Sequence, residues 1–442
     1  MTRHRTLPSL LLMAAALALR LSAQPTAVVP DTLTRDDVVR LALSNNPSLQ
    51  RTLEEANVST AKVGQSRSYE LPNIDGSASY TRIDPVPEFD FGGQPLELAP
   101  HNIYDVHVGA SYTIYDFGKT RGQTRLSKSR RQNAVDAAEA VRSTLAYSAV
   151  RAFYSLLFIQ RSLAVQDQEI AALKEHLNVA QKKVEAGTAI SYDVLSTQVR
   201  VAAVQSQQSD AVNALEKQRT ALRELLGLPS GASVSIQGTL EVDPVELNED
   251  SLTAVALRQR PEIQLANDAE NVAKMQQRVT ALADLPALRA AVQYGVKNGY
   301  EPNLDSWRGN WPGIAQLQVP IYNGQRKSFQ RQEADAALRA EQFKRQVLER
   351  QIGGEVERAV SDVRTALNKL SISEVRIKQA QDAVTIARVR YASGTITNVD
   401  VLDAETAVAE AQLVKEQAVF SFAMARTALE QALGMVRWSS AR

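Results

Sequence analysis

No cysteine occurs in the 442 residues, which excludes disulfides, thiol chemistry and an acyl-cysteine lipid anchor. An excess of one charge is also missing. The 50 Lys and Arg against 49 Asp and Glu leave a formal +1, which is no footprint for a nucleic-acid partner and suits helix surfaces laced with ion pairs. Aromatic residues make up only 5%, low for compact cores and normal for long Ala-rich bundles. Beyond the first residues no apolar run approaches about 18 residues, so no helix of the mature chain is expected to cross an inner membrane. The four histidines (His4, His101, His107 and His176) are scattered. No His-Glu-x-x-His spacing, Gly-x-Ser-x-Gly elbow, Walker loop or dinucleotide fingerprint is present. No catalytic residue, metal or cofactor is therefore expected, and the chain does not read as an enzyme.

Glycine and proline are both absent from Gln123 to Ala186, a stretch rich in Ala, Leu, Gln, Arg and Lys. Such residues lose little freedom in a helix, and as one helix the stretch would run about 96 Å at 1.5 Å per residue. Its most apolar stretch, Phe153 to Ile159 with Ser155 within it, is too short to span lipid. A long rod packed against other rods is the expectation. At the N-terminus, Arg3 and Arg5, an apolar run from Leu10 to Leu19 and Leu21-Ser22-Ala23 read as a signal peptide over residues 1–23, removed after export.

The chain also resembles itself. The segment from Val38 to Gln50 aligns with that from Leu252 to Gln264, with Pro47 and Pro261 214 residues apart. Leu71-Pro72 and Leu285-Pro286 keep that offset; Ile114-Tyr115-Asp116 and Ile321-Tyr322-Asn323 are offset by 207. Gly187-Thr188 matches Gly394-Thr395, Asp193-Val194-Leu195 matches Asp400-Val401-Leu402, and Leu226-Gly227 matches Leu433-Gly434, all at 207. These matches read as a tandem duplication, residues 31–228 and 245–442, joined by a linker over 229–250. Each half is expected to open with a helix, capped by Thr34 or Asp31 and carrying apolar residues through Leu53 in the first half. There follow strands (about 72–82 and 106–115; 286–296 and 313–322), a long helix (119–186; 325–393), a tight Gly-Thr turn and a returning helix (191–226; 398–433). Residues 83–105 and 297–312 read as exposed loops. Gly353-Gly354 interrupts the second long helix at a cost of about 2 kcal/mol relative to alanine, so a bend or a close helix contact is expected there.

The strands alternate with period two. Val106, Val108, Ala110, Tyr112 and Ile114 oppose His107, Gly109, Ser111 and Thr113, and Tyr and Trp residues cluster near the strand ends. Transmembrane barrel strands have this length, alternation and aromatic banding, while half-buried soluble strands share the alternation alone. Four strands cannot close a barrel, and lipid tolerates no open edge. Strands in a membrane would therefore demand two or three copies of the chain. An exported coiled-coil adaptor or structural protein with soluble strands is the alternative.

The duplicated order, the Asn46-Pro47-Ser48-Leu49 opening, the strand exits at Tyr115-Asp116 and Tyr322-Asn323, Leu226-Gly227, and the run from Tyr391 to Asp403 resemble the TolC-like outer-membrane efflux protein family across nearly the whole mature chain. The resemblance implies an α+β membrane protein. It would be a homotrimer whose twelve-stranded outer-membrane β-barrel, four strands per chain, continues into a long α-helical periplasmic barrel. It also implies a location in the outer membrane, lipid around the barrel, and a periplasmic adaptor and an inner-membrane transporter as partners of a passive exit duct for efflux or type I secretion. The turns Gly187-Thr188 and Gly394-Thr395 would be hairpin tips where the adaptor docks.

Asp400 and Asp403 are three residues apart and share a helix face one turn beyond Gly394-Thr395. In a trimer they would form stacked carboxylate rings at the narrow mouth, a gate attractive to multivalent cations; a cap at the helix start is the alternative role. Asp193 is the repeat counterpart of Asp400, and Ser196 replaces the second acid. The resemblance further places a closing hydrogen-bond link on Tyr391 and on a basic residue two past the glycine, where this chain has Ile396.

Overall fold

The computed structural model describes residues 32–92, 94–240 and 247–435; the expected signal peptide and residues 241–246 of the linker lie outside them. In the first half run α1 (Arg35–Asn45), α2 (Pro47–Ser68), β1 (Asn73–Arg82), β2 (Glu88–Phe91), β3 (Gln94–Glu97), β4 (Asn102–Tyr115), α3 (Lys119–Glu185) and α4 (Ser191–Leu225). The second half holds α5 (Glu249–Gln259), α6 (Pro261–Leu282), β5 (Ala287–Lys297), β6 (Arg308–Asn310), β7 (Gly313–Gln318), α7 (Arg326–Ala392) and α8 (Asn398–Ala432). Helix lengths of 11, 22, 67 and 35 residues recur in the same order in both halves.

Each half opens with two helices rather than the single expected one. Thr34 and Asp37 close a capping box at the start of α1. The residue before a proline is pushed out of the helical basin by the proline ring, and Asn46 (φ −66°, ψ 121°) and Arg260 (φ −67°, ψ 127°) both leave it. Proline then occupies the first position of α2 and of α6, where its missing N–H costs nothing.

α3 and α7 are continuous rods of 67 residues, about 100 Å each at 1.5 Å per residue. Near the strands α3 lies between α2 and α6, and towards the turns between α4 and α8; α7 packs on α5, α6 and α8. The main core sits at the waist of the first half. There Leu145, Ala149, Phe153 and Leu156, spaced for one helix face, bury against Val38, Leu41 and Leu49 and against Val234 and Ile236 of the linker. The linker is tied in by a parallel bridge, with the Leu33 amide donating to the Ser235 carbonyl at 2.8 Å and the Gln237 amide to the Leu33 carbonyl at 3.0 Å. A second cluster around Ile352, Val356, Val360 and Phe422 occupies the other half.

The Leu-Gly recurrence has a local cause. Gly227 (φ 65°) and Gly434 (φ 69°) end the return helices in the left-handed region, against the last carbonyl of α1 and of α5. A Cβ would come within 2.5 Å of the Asn45 oxygen or 2.9 Å of the Gln259 oxygen. At Gly353-Gly354, by contrast, α7 runs through without a break, and a Cβ on Gly353 would meet nothing within 4 Å. Among the described residues of the chain the expected close helix contact is absent.

One antiparallel sheet joins the halves in the order β1-β4-β5, and β7 and β6 share the far side of β5. β4 begins four residues before its expected start, and the expected loop 83–105 folds in part into the β2–β3 hairpin. β7 stops at Gln318 instead of reaching residue 322, because Pro320 has no N–H for a ladder.

Between α3 and α6 two acids face each other. Asp268 is 7% exposed, and its Oδ2 is buried without a hydrogen-bond partner. Burial, then the neighbouring Asp136, pushes its carboxyl from 3.8 up to about 7. The folded chain therefore holds this proton more tightly than the unfolded chain does. The associated stability is full below about pH 4 and is lost as pH rises towards about 7. Asp268→Asn, which donates to Asp136 at every pH, should flatten that part of the thermal-stability profile. Gly227→Ala should lower stability by about 1–3 kcal/mol through the strained φ, whereas Gly353→Ala should raise it by about 0.5–1 kcal/mol; thermal unfolding of both variants tests the contrast.

Candidate functional site

Both long helices end in the same turn. The Thr188 amide donates to the Lys183 carbonyl at 2.8 Å and the Thr395 amide to the Arg390 carbonyl at 2.9 Å. Gly187 and Gly394 take φ of 71° and 75°, as this type of helix stop requires. The threonine hydroxyls bond the same two carbonyls at 3.1 and 3.0 Å. The Gly-Thr pairs thus close the helix ends, and all four residues are exposed at the tips.

Asp400 sits in a capping box at the start of α8. Its Oδ2 accepts from the Thr397 amide and hydroxyl, both at 2.7 Å. The hydroxyl bond, then the amide bond, holds its carboxyl below the usual carboxylate range. Asp403 lies exposed one turn on and makes no hydrogen bond or ion pair among the described residues. Asp193 is half-buried at the start of α4, where Ile190 supplies no side-chain cap. Its backbone carbonyl accepts from Thr197 Oγ1 at 2.7 Å and Ser196 Oγ at 3.1 Å.

The two hairpins are joined by residues that sequence reasoning missed. Asn398, 3% exposed, donates through Nδ2 to the Asp193 carbonyl and Ser196 Oγ, both at 3.1 Å, and to Thr197 Oγ1 at 3.3 Å. Its Oδ1 is therefore the acceptor for His176 Nε2 at 2.6 Å, which places a proton on that nitrogen. One side-chain amide thus ties α8 to α3 and α4. Lys183 Nζ reaches across from α3 to the Tyr391 carbonyl at 2.6 Å and the Ala392 carbonyl at 3.3 Å, and lies 4.5 Å from the Tyr391 ring centroid. A cation on the last carbonyls complements the negative end of α7. The Tyr391 ring stands 5.1 Å from His176. Burial, then Asp193, pushes its phenol above the ordinary value. A turn further on, Arg388 pairs with Glu405 at 2.5 Å, and Arg200 Nε donates to Thr406 at 3.0 Å. A cavity of about 170 Å³ opens among Glu175, His176, Arg388, Tyr391 and Glu405.

Among the described residues of this one chain the Tyr391 hydroxyl is buried and makes no hydrogen bond, to position 396 or elsewhere. Ile396 packs on Tyr391 and Val401 instead, and Lys183 supplies the positive charge. The spacing of Leu173, His176 and Ala180, all buried, was the available signal for His176. Its repeat counterpart is Ala383 and that of Asn398 is Ser191, so self-comparison hid the pair.

At the other end of the rods, the registers bring the alternating residues of all strands onto two faces. Ala78, Val106 and Val296 are consecutive partners, as are Gly76, Val108 and Tyr294, and Ile74, Ala110 and Val292. The opposite face carries Asp75, Ser77, His107, Gln293, Arg289 and Gln316. The apolar face is bare: Ile74 is 72%, Val108 58%, Tyr294 70% and Leu317 63% exposed. Tyr80, Tyr104 and Trp307 stack at the loop end of the sheet, with centroids 5.2 and 5.7 Å apart. Among the described residues no helix is long and apolar enough to cross a membrane, and no group of three or more acidic or histidine side chains could hold a metal.

Replacing Asn398 with Leu leaves the buried His176 N–H without its partner, at a cost of about 1–3 kcal/mol, while the Asp193 carbonyl keeps Thr197 and Ser196. Amide exchange is expected to quicken at residues 183–198 and 388–402 while the waist stays protected. Unchanged exchange at the hairpin ends would count against Asn398 as their tie.

The family profile described as Outer membrane efflux protein matches residues 38–228 and 252–435. Outer membrane protein TolC of Vibrio cholerae is 22% identical over 406 residues, covering 90% of either chain. Alkaline protease secretion protein AprF of Pseudomonas aeruginosa is 23% identical over 400 residues, covering 87% of this chain and 81% of that protein. Among solved structures, the CmeC outer membrane channel of Campylobacter jejuni superposes with a TM-score of 0.78 at 20% identity, over 92% of this chain and 87% of that one. The open state of the MtrE outer membrane channel of Neisseria gonorrhoeae gives 0.77 at 17% identity, over 92% and 91%. With both halves matched, the chain belongs to the outer membrane efflux protein family.

Proposed function

We propose that this chain forms, as a homotrimer, the outer-membrane exit duct of a tripartite efflux or type I secretion assembly. The observation that carries the reading is a sheet with one bare apolar face and two unpaired edges, joined directly to rods of 67 residues. Unpaired backbone groups are not tolerated in lipid. β1 at one edge and β6 and β7 at the other must meet further copies, and four strand positions in three copies give a twelve-stranded barrel. The rods extend the duct about 100 Å into the periplasm. The matched helix lengths and the two matched segments support a tandem duplication, with the linker outside the tunnel at its waist.

Substrates pass down their gradient, driven by an inner-membrane transporter to which a periplasmic adaptor couples the duct. The exposed tips at Gly187, Thr188, Gly394 and Thr395 are the adaptor's docking points. TolC and AprF, similar along most of their lengths, support an outer-membrane location and a transport role. At the mouth Tyr391 and Asp193 belong to the contact between hairpins. Asp400 is engaged in its cap, so Asp403 is the freer carboxylate of the gate.

Outer-membrane fractionation with a heat-modifiable trimer on gels is the expected behaviour; recovery as a soluble periplasmic monomer would sink the duct. Trivalent cations should block the reconstituted wild-type channel and should block Asp400→Ala with Asp403→Ala at least about tenfold more weakly, since carboxylates gathered at a mouth together create a potential of several kT. Equal block in both proteins would remove the gate.

A further inference from the structure

Arg121, Arg125 and Lys128 open α3 at spacings that place them on one helix face. All three are exposed, and their side chains make no hydrogen bond or ion pair among the described residues. Elsewhere the rods pair such charges along their surfaces, as in Arg142 with Glu139 and Arg345 with Glu349. Acids at this level are already engaged: Asp116 accepts from the Thr120 amide and Glu70 from Thr124. Arg67, at the end of α2, is exposed and unpaired as well.

The direction of this face follows from its neighbours. Gly122 abuts Leu282 and Val279 of α6, and Arg130 donates to Gln276 on the same helix. Thr124 and Ser127 bond to Ser66 of α2. Both wall neighbours of α3 thus come from its own chain, and Arg121, Arg125 and Lys128 occupy the broad arc away from them. Further down the rod the same arc carries Ala146 and Phe153 against α1 and the linker, the side that the proposed duct places outside its wall. Tyr112, Tyr115 and Arg121 line one cavity, and Tyr115 is in register with Leu288 of the bare face.

We propose that this outward face is a docking surface for anionic phospholipid headgroups in the leaflet at the helix end of the sheet. The inference rests on the membrane reading of the sheet. At 1.5 Å per residue Arg121 and Arg125 lie about 3 and 9 Å into α3, within or beside a headgroup layer about 5–7 Å deep. Lys128, about 4–5 Å further on, is inside one Debye length of about 8 Å. Long basic side chains also bend toward such a surface.

The test uses the full-length assembly in nanodiscs of phosphatidylcholine with a minor fraction of phosphatidylglycerol, and native mass spectrometry to count retained phosphatidylglycerol. The wild type should retain it in preference, and raising salt should erase the preference. Arg121→Gln, Arg125→Gln and Lys128→Gln together should weaken retention roughly a hundredfold, at about fivefold per charge, while insertion and conductance persist. Equal retention by variant and wild type overturns the proposal, as does a triple variant whose altered property is the anion-to-cation permeability of the pore, which would put these bases in the lumen. If the triple variant does not assemble, the wild-type salt series decides, and a salt-independent preference overturns it. A wild type that never enters nanodiscs fails the membrane reading itself.

Discussion

Hydrocarbon offers backbone N–H and C=O groups no partner except one another. The sheet of this chain meets that condition along β4 and β5 and leaves it open at both margins. Its apolar side chains lie on one face without cover, a face that a water-soluble fold would bury and a membrane protein presents to lipid. The same strands lead through short exits into α3 and α7, so the direction of the sheet also sets how the long helices stand. In the proposed duct the chain is one segment of a wall, completed by further copies.

The helical part solves a different problem, that of keeping rods of about 100 Å in register. At the waist this is done by burial: Phe153 and its neighbours pack on α1 and the linker, and Gly227 and Gly434 let each return helix end against an opening helix. Towards the turns apolar clusters shrink to a few residues, and polar contacts take over. Asn398, His176 and Lys183 bridge the hairpins there through a small number of directional bonds. A joint made of such bonds separates with less loss of buried area than a packed core does, which suits the proposed role of this end as a mouth.

Much of this architecture was legible beforehand because its signals are periodic and local. A stretch without Gly or Pro yields a rod, alternation yields a two-faced strand, and the recurrence of Gly-Thr marks a helix stop. The helix break at Asn46-Pro47 and the early end of β7 before Pro320 follow from equally local rules about proline, applied there too loosely. Asp400 could serve as a cap or in a gate, and the capping geometry is present; the gate belongs to the proposed function.

What the sequence determined by itself is thus the set of elements and their order, because backbone preference and hydrophobic period act over a few residues and the same short motifs recur 207 residues later. Only the tertiary structure decided which side chains meet. His176 and Asn398 are 222 positions apart, and neither has a counterpart of its own kind in the other half. Lys183 came to Tyr391 in place of a base at position 396. Contacts between hairpins depend on how two rods rotate and slide against each other, and no single segment encodes that.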